Sequence, residues 1–298
     1  MRLIRVDALK KAFGDKVVLN ELTFSISEGE IYGLLGPNGS GKTTTINILC
    51  NLLDADNGTI EIKGKPISEN TKYLTGIAPQ EISVYKDLTC EENLKFFAKI
   101  YGLQNSQSSS RINDLIKLFR LNEYAETPVS QLSGGWQRRI NMAVALVHSP
   151  SILILDEPTS GLDVEARYDL WKLIEDLSKT DVTILLTTHY LEEAERLCSR
   201  IGILQHGRLI AEGSLQDLCR RIPATQLAIV ETKEKETVCR KAKSIGWEYR
   251  YYGDKLTFWL PHHHTLKEVI NIFDGMPLSS ITLREVGLEH VYIEMTNK

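Results

Sequence analysis

The sequence lacks a long apolar run: nowhere in its 298 residues do about 18 consecutive apolar residues occur, the length that a helix needs to span a bilayer. The first ten residues mix basic and apolar side chains and lack the continuous apolar core of a signal peptide. These absences predict a chain that does not itself cross a membrane, and the cytoplasmic location is predicted from its cysteines. If its function concerns a membrane, we expect another chain to cross it.

Cysteines are few, and charge of one sign is never concentrated. The five cysteines are scattered, odd in number and without close pairing, which is typical of free thiols in a reducing compartment. With 35 basic against 39 acidic residues the net charge is −4, and no block of five or six like charges occurs. The sequence therefore has no basic footprint for nucleic acid, and we expect no nucleic-acid partner.

What the sequence does contain is ordinary for a globular protein, with 42% apolar and 25% charged residues. Apolar residues alternate at residues 3–8 and 22–27, the pattern of half-buried antiparallel strands. Residues 152–155 and 182–186 are continuous apolar runs, as expected of strands buried on both faces of a parallel sheet. A helix is predicted between these two runs, at residues 164–177. The pattern predicts an α/β fold.

The chain is long enough for two domains, and its pattern changes after about residue 218. We predict a first domain over residues 1–218, with a helical subdomain at about 87–147 in which the polar stretch 104–110 is a surface loop. Residues 219–298 follow the order βαββαβ, which predicts a small ferredoxin-like α+β domain.

The strongest motif follows a predicted strand at residues 31–35 and precedes a helical apolar pattern. Its glycines let backbone N–H groups turn toward phosphate oxygens, and the helix adds the positive end of its dipole. Lys42 would reach the outer phosphates, and the Thr43 hydroxyl would ligate magnesium. A simple glycine-rich turn requires neither residue, so the motif predicts a nucleotide site formed by Gly36, Pro37, Asn38, Gly39, Ser40, Gly41, Lys42, Thr43 and Thr44.

Two carboxylates, Asp156 and Glu157, close the apolar run at 152–155. Ligands of open α/β sheets collect at the carboxyl ends of the strands. We expect Asp156 to hold magnesium and Glu157 to polarise the water that attacks the γ-phosphate. Either residue alone could simply end a strand, but beside the phosphate loop that alternative loses weight.

Ser133, Gly134 and Gly135 precede another predicted helix and form a second anion-binding helix tip. One phosphate group hardly needs two helix N-termini from the same domain. The more economical geometry has this tip facing a nucleotide held by a second copy. By itself the tripeptide could be only a helix cap.

In their order, these motifs resemble those of the ATP-binding cassette (ABC) ATPases, whose signature motif is similar to residues 132–136. The resemblance covers residues 3–217. It implies a P-loop NTPase fold with a RecA-like parallel sheet core, an antiparallel β subdomain and a helical subdomain, followed here by the small α+β domain. It also implies ATP and Mg²⁺ as cofactors. Trp136 departs from the family, where many members carry glutamine.

The resemblance implies a role for each matching position. Phe13 would stack on adenine, Gln80 would sense magnesium and the membrane partner, Asp163 would belong to the D-loop, and His189 would be the switch histidine. The nucleotide-binding set thus adds Phe13, Ser133, Gly134, Gly135 and Asp163 to the phosphate loop. The catalytic set is Glu157, His189, Gln80 and Lys42, and the magnesium ligands are Thr43, Gln80 and Asp156.

The resemblance also implies partners. Two cassettes, a homodimer or paralogous ATPases, would sandwich two ATP molecules, and a separate permease would contact Glu81 to Asn93, which we predict to be helical. The C-terminal residues are similar to the ends of bacterial exporter ATPases, which favours export. An importer ATPase and an ATPase that remodels a nucleoprotein are the alternatives. The consecutive histidines 262–264 lack cysteines at ligand spacing, and we expect no metal there.

Overall fold

The computed structural model describes residues 2–296, apart from the side chains of residues 70, 105 and 106. The chain divides into two compact units between Glu212 and Gly213. In the described part of the chain, no helix combines the length and the apolar character that a bilayer crossing needs.

The first unit contains two sheets and a group of helices. Its strands are β1 (Arg2–Phe13), β2 (Lys16–Ser27), β3 (Ile31–Leu35), β4 (Asn57–Ile62), β5 (Lys65–Pro66), β6 (Thr75–Ala78), β7 (Ile152–Asp156), β8 (Thr183–Thr188), β9 (Arg200–Gln205) and β10 (Arg208–Gly213). Its helices are α1 (Lys42–Leu49), α2 (Cys90–Ile100), α3 (Asn105–Leu118), α4 (Gly134–Ala145), α5 (Val164–Leu177) and α6 (Leu191–Leu197).

A six-stranded sheet with the order β10-β9-β3-β8-β7-β6 forms the centre of this unit. The pairs from β9 across to β6 are parallel, and every residue of β3, β7 and β8 is buried. A strand buried on both faces needs apolar side chains at consecutive positions, which explains the continuous runs in the sequence. In register, Leu35 pairs with Thr188 and Asp156 with Thr187. The carboxyl ends of three strands therefore meet at one edge.

The second sheet is antiparallel in all its pairs, with the order β2-β1-β4-β5. Its alternating apolar residues, among them Ile4, Val6 and Ile26, are fully buried and pack in the same core as Ile46 and Ile48 of α1. The period-two pattern therefore arises because one face of this sheet covers the helix that follows β3.

The helical part of the unit differs from prediction at residues 104–110. This stretch was expected to be a loop, but α3 begins at Asn105, so that prediction was wrong. Serine-rich composition resembles a loop, yet Ile112, Leu115 and Phe119 further along are buried. A helix anchored by these apolar side chains extends through polar residues such as the exposed Ser109 and Ser110 at ~0.5 kcal/mol per residue.

The predicted permease-contact segment, residues 81–93, is helical only from Cys90 onward, so the prediction of a helix was wrong for its first part. The buried Asn93 side chain accepts a hydrogen bond from the Tyr85 N–H (2.9 Å) and donates to the carbonyls of Tyr85 (2.9 Å) and Thr89 (2.9 Å). Asparagine bonds of this kind offer the backbone an alternative to a helix. They hold a non-helical turn in front of α2.

The second unit is built on one four-stranded antiparallel sheet with the order β12-β13-β11-β14. Val230, Phe258 and Leu260 from its strands pack with Val238 and Phe273 from the helices to form a separate core. After a short first helix, the element order is βαββαβ followed by a last helix. The elements are α7 (Leu215–Cys219), β11 (Gln226–Thr232), α8 (Lys235–Ser244), β12 (Glu248–Tyr252), β13 (Lys255–Leu260), α9 (Leu266–Ile272), β14 (Leu278–Glu285) and α10 (Leu288–Thr296).

The division after Glu212 lies six residues before the boundary that the sequence predicted after residue 218. The difference concerns α7, which packs against α10. In addition, the Cys219 thiol at the end of α7 donates to the carbonyl of Val286 (3.2 Å). These contacts make α7 part of the second unit.

Candidate functional site

The phosphate loop connects β3 to α1 in a backbone conformation that requires glycine. Gly41 has φ of 112°, and a Cβ on it would lie 2.6 Å from a methyl carbon of Leu19. A Cβ on Gly36 would lie 2.4 Å from the carbonyl oxygen of Leu204. Because both approaches are closer than any real Cβ contact, only glycine allows the loop to pass between β2 and the end of β9.

Lys42 begins α1, yet its side chain is buried and folds back over the loop. Its ammonium donates to the carbonyls of Gly36 (2.8 Å) and Pro37 (3.2 Å). It also forms an ion pair with Oε1 of Glu157 (3.2 Å). The positive charge is thus held inside the loop, at the edge where the parallel strands end.

Asp156 is fixed between two threonines. Thr43 at the start of α1 donates to its Oδ2 (3.4 Å), and the buried Thr187 of β8 donates to its Oδ1. A hydroxyl and a carboxylate oxygen this close together are the hard oxygen donors that Mg²⁺ prefers. Within residues 2–296 no group of three or more His, Cys, Asp and Glu side chains could hold a metal ion. The Thr43 hydroxyl and the Asp156 carboxylate nevertheless fit a magnesium ion by the chemistry of their oxygen donors.

Glu157 has an unusual backbone conformation and two charged or titratable neighbours. Its φ is 48°, in the left-handed region, and its N–H donates to both the carbonyl (3.0 Å) and the hydroxyl (3.2 Å) of Thr187. The carboxylate is buried, with one oxygen toward Lys42 and the other 2.8 Å from Nδ1 of His189. A non-glycine residue in this region costs about 1 to 2 kcal/mol and is often found at functional sites.

The structure thus brings together five predicted site residues from separate elements. They come from the ends of two neighbouring strands, β7 and β8, and from the start of α1: Lys42, Thr43, Asp156, Glu157 and His189. A lysine, an oxygen pair for magnesium and a carboxylate paired with an imidazole can together bind a phosphate chain and accept a proton from an attacking water.

Residues 133–135 at the N-terminus of α4, which we call the signature tip, form a second group of predicted site residues. Ser133 stands at the N-cap position of α4 and is exposed, but its side chain makes no capping hydrogen bond to that helix. A Cβ on Gly135 would lie 3.1 Å from that of Ala166, so the tip packs closely against the start of α5. Trp136 stacks against Tyr124, with ring centroids 4.4 Å apart, and under the guanidinium of Arg139 (4.3 Å).

Asp163, predicted to belong to the D-loop, caps α5 by accepting a hydrogen bond from the Ala166 N–H (2.8 Å). It lines a cleft of about 310 Å³ together with Ser133, Gly135 and Trp136. The structure therefore places Asp163 with the signature tip.

Gln80 and Phe13 occupy more exposed positions. Gln80 follows β6, whose Ala78 pairs with Leu155, so it lies at the sheet edge where Asp156 ends the neighbouring strand. Phe13 ends β1, and its ring lies 5.6 Å from the Lys11 ammonium. The structure describes neither side chain in direct contact with the group around Lys42.

Three residues that the sequence did not single out support these groups. Thr187 binds both carboxylate residues, whereas Arg138 and Asn141 of α4 bind the backbone on either side of Gln80. The sequence marks these three residues only in that each is polar at a position where an apolar residue would be expected. Thr187 ends a buried apolar strand, and Arg138 and Asn141 lie in a helix whose residues 138–145 are all buried.

Comparison with protein families gives a match to the model described as "ABC transporter" over residues 19–160. The linearmycin resistance ATP-binding protein LnrL of Bacillus subtilis is 35% identical over 307 residues, covering 99% of both chains. The Nod factor export ATP-binding protein I of Burkholderia lata is 43% identical over 289 residues, covering 95% of this chain and 90% of its own.

Solved structures show the same fold. An ATP-binding subunit of an ABC transporter superposes with a TM-score of 0.66 at 32% identity, covering 74% of this chain and 92% of that one. A dimeric ATP-binding cassette in a post-hydrolysis state with ADP and Pi gives a TM-score of 0.64 at 25% identity, covering 71% and 98%. The fold class predicted from the sequence is confirmed.

Proposed function

Since the chain belongs to the ATP-binding subunits of the ABC transporter family and is an ATPase, we propose that it powers export through a separate permease by ATP-driven closure of a dimer. Two relatives that match nearly the whole chain are named for linearmycin resistance and for Nod factor export. The second name states export, and the first states resistance to a compound, which export of that compound would provide; both support export over import.

The observation that carries the proposal is the position of Glu157 between Lys42 and His189. With ATP in the loop, Lys42 would bind the outer phosphates, and Glu157 would accept the proton of the attacking water. His189, 2.8 Å from that carboxylate, would orient it. Thr43 and Asp156, with Gln80 at the adjacent strand end, would hold magnesium, which when bound would neutralise charge at the phosphates.

The signature tip supports a shared site. Since the Ser133 hydroxyl is exposed and does not cap its own helix, it can donate to a phosphate of a nucleotide held by a second chain, with the N–H groups of Gly134 and Gly135 beside it. Asp163, in the same cleft, would lie at this contact. Phe13 would stack on the adenine ring. The dimeric relative supports the assembly, as a homodimer or with a paralogous chain.

The permease contact is proposed on the surface around residues 81–93. Here Tyr85 is 52% exposed and Phe96 of α2 is 37% exposed, and their rings meet edge to face with centroids 4.8 Å apart. Exposed aromatic pairs are typical of interaction sites. A permease segment docked there would hold the chain on the cytoplasmic face of the membrane.

The proposal is tested by Glu157→Gln in the purified chain. The amide keeps the size of the side chain but cannot accept the proton, so we expect ATP binding to persist while phosphate release falls at least ~100-fold. ATP should then accumulate a dimer, visible by size-exclusion chromatography with light scattering. Glu236→Gln, an exposed change on α8, is the matched control and should leave turnover as in the wild type. Unchanged turnover in Glu157→Gln would refute the assigned role.

A further inference from the structure

Two buried polar residues of α4 fasten the segment that contains Gln80. Asn141 accepts hydrogen bonds at Oδ1 from the backbone N–H (3.1 Å) and the hydroxyl (3.0 Å) of Ser83. Its Nδ2 donates to the carbonyl of Pro79 (3.2 Å), and Arg138 donates to the same carbonyl (3.2 Å). The backbone is therefore held on both sides of Gln80.

The chemistry of these contacts requires an amide at position 141. The Ser83 N–H can only donate, so the atom facing it must be an oxygen, and the Pro79 carbonyl can only accept, so the atom facing it must be a nitrogen. Asn141 is 2% exposed and Arg138 is 9% exposed. Removing either partner of a buried hydrogen bond leaves the other unsatisfied, at a cost of about 1 to 3 kcal/mol.

We call the hydrogen bonds of Asn141 and Arg138 to Pro79 and Ser83 the clasp. The helix that supplies it, α4, also carries Ser133 at its N-terminus. Asn141 lies eight residues after Ser133, about 12 Å along a helix at 1.5 Å per residue. A helix of this length moves as a rigid rod. Any shift of Ser133 along or across the helix axis must therefore be transmitted to Pro79 and Ser83, and hence to Gln80.

We propose that Asn141, together with Arg138, is a positioning residue that couples Gln80 to the signature helix, so that Gln80 reaches its working position only when α4 is in place. This inference rests on the proposed function, because it assumes that Gln80 acts on the magnesium–nucleotide site. It names residues that act through Gln80 without touching the nucleotide. Neither belongs to the motifs that identify the family.

The competing explanation is that Asn141 only stabilises the fold. A double-mutant cycle with Gln80 distinguishes this structural role from the proposed positioning role. We expect Asn141→Ala to lower kcat about tenfold, with a change in the KM for ATP below about threefold, because misplacement of a catalytic group mainly slows the chemical step. In a Gln80→Ala background, the same substitution should change kcat by less than about twofold. A purely structural defect would instead reduce both backgrounds by the same factor.

Arg111→Ala is the matched control for loss of a buried hydrogen bond to the same helix. Arg111 donates to the carbonyl of Leu146 at the far end of α4 (2.6 Å), away from Gln80. Arg111→Ala should lower kcat by the same factor in the wild-type background and in the Gln80→Ala background. Additive losses for Asn141→Ala, or a Gln80→Ala variant as fast as the wild type, would overturn the inference.

Hydrogen exchange tests the clasp without depending on turnover. In the full chain, Asn141→Ala should raise the exchange rate of the Ser83 amide about tenfold or more, while amides in the middle of α4 change less than about twofold. Unchanged exchange at Ser83 would contradict the inference. A wild-type chain that fails to hydrolyse ATP would count against the proposed function alone, since the exchange result still decides the clasp.

Discussion

We predict that Thr187→Val lowers the rate of ATP hydrolysis by more than its effect on the stability of the sheet explains, because Thr187 supports Asp156 and Glu157. Valine has nearly the shape of threonine, so the substitution removes the hydroxyl without opening a cavity. The hydroxyl donates to Asp156 Oδ1 and accepts from the Glu157 N–H (3.2 Å). Both contacts are buried, because Thr187 is inaccessible to solvent.

A hydrogen bond to a charged group contributes about 1.5 to 3 kcal/mol. The Glu157 N–H keeps its bond to the Thr187 carbonyl (3.0 Å), so the loss falls mainly on Asp156. If that stabilisation is lost in the transition state but not in the ground state, the hydrolysis rate falls about 10- to 160-fold. Half-saturation by Mg²⁺ should also need a higher concentration, because Asp156 is a proposed ligand.

Thr183→Val on the same strand is the matched control. Thr183 is equally buried, and its hydroxyl accepts from the Gly29 N–H (2.8 Å), far from the carboxylates along β8. We expect about 1 kcal/mol of destabilisation in urea unfolding, with little change in phosphate release. The reasoning would be refuted if both valine variants lost activity only in proportion to their lost stability, with the same dependence on Mg²⁺.

Two further predictions concern the dimer and the pH dependence of stability. Mixing a Ser133→Ala chain with a Lys42→Ala chain should leave at most one intact composite site per heterodimer. Phosphate release should therefore exceed that of either variant alone but stay below that of the wild type. Full activity would contradict a shared site. Burial raises the pKa of Glu193, which accepts hydrogen bonds from Thr159 (2.7 Å) and Trp171 (3.0 Å). With the pKa of Glu193 raised on folding, stability should decline as pH rises above the ordinary glutamate pKa of 4.5. Urea unfolding of Glu193→Gln should show a smaller decline, and equal slopes would remove Glu193 as the cause.

The phosphate loop and the two carboxylates could be predicted because their function depends on local backbone and on strand ends. Gly36 and Gly41 are needed where the chain passes close to Leu204 and Leu19, and that need appears directly as residue type and spacing. The placement of Asp156 follows from the length of a single apolar run. Local causes of this kind leave a local pattern.

The clasp at Asn141 could not be predicted, because it joins residues 58 or more positions apart. A polar residue on an inward helix face indicates only that some partner exists, and the partner is decided by how α4 packs against β6. The turn at residues 81–89 escaped prediction for a similar reason. Two of its hydrogen bonds, both to Tyr85, come from the side chain of Asn93, which follows the turn in sequence and stands inside the next helix, and Ser83 is bonded by the distant Asn141.

In the proposed mechanism, the pairing of Lys42 with Glu157 would link nucleotide binding to the release of the base. A lysine ammonium has three N–H donors, and here three acceptors contact it: the carbonyls of Gly36 and Pro37 and the Glu157 carboxylate. A phosphate oxygen that binds Lys42 must therefore compete with one of them. The carbonyls belong to the loop backbone and stay in place, whereas the Glu157 side chain can rotate about its own bonds. Its other oxygen already lies 2.8 Å from Nδ1 of His189, so a carboxylate displaced from Lys42 would stay next to the imidazole. The geometry thus allows a triphosphate to exchange an ion pair for a base oriented by His189.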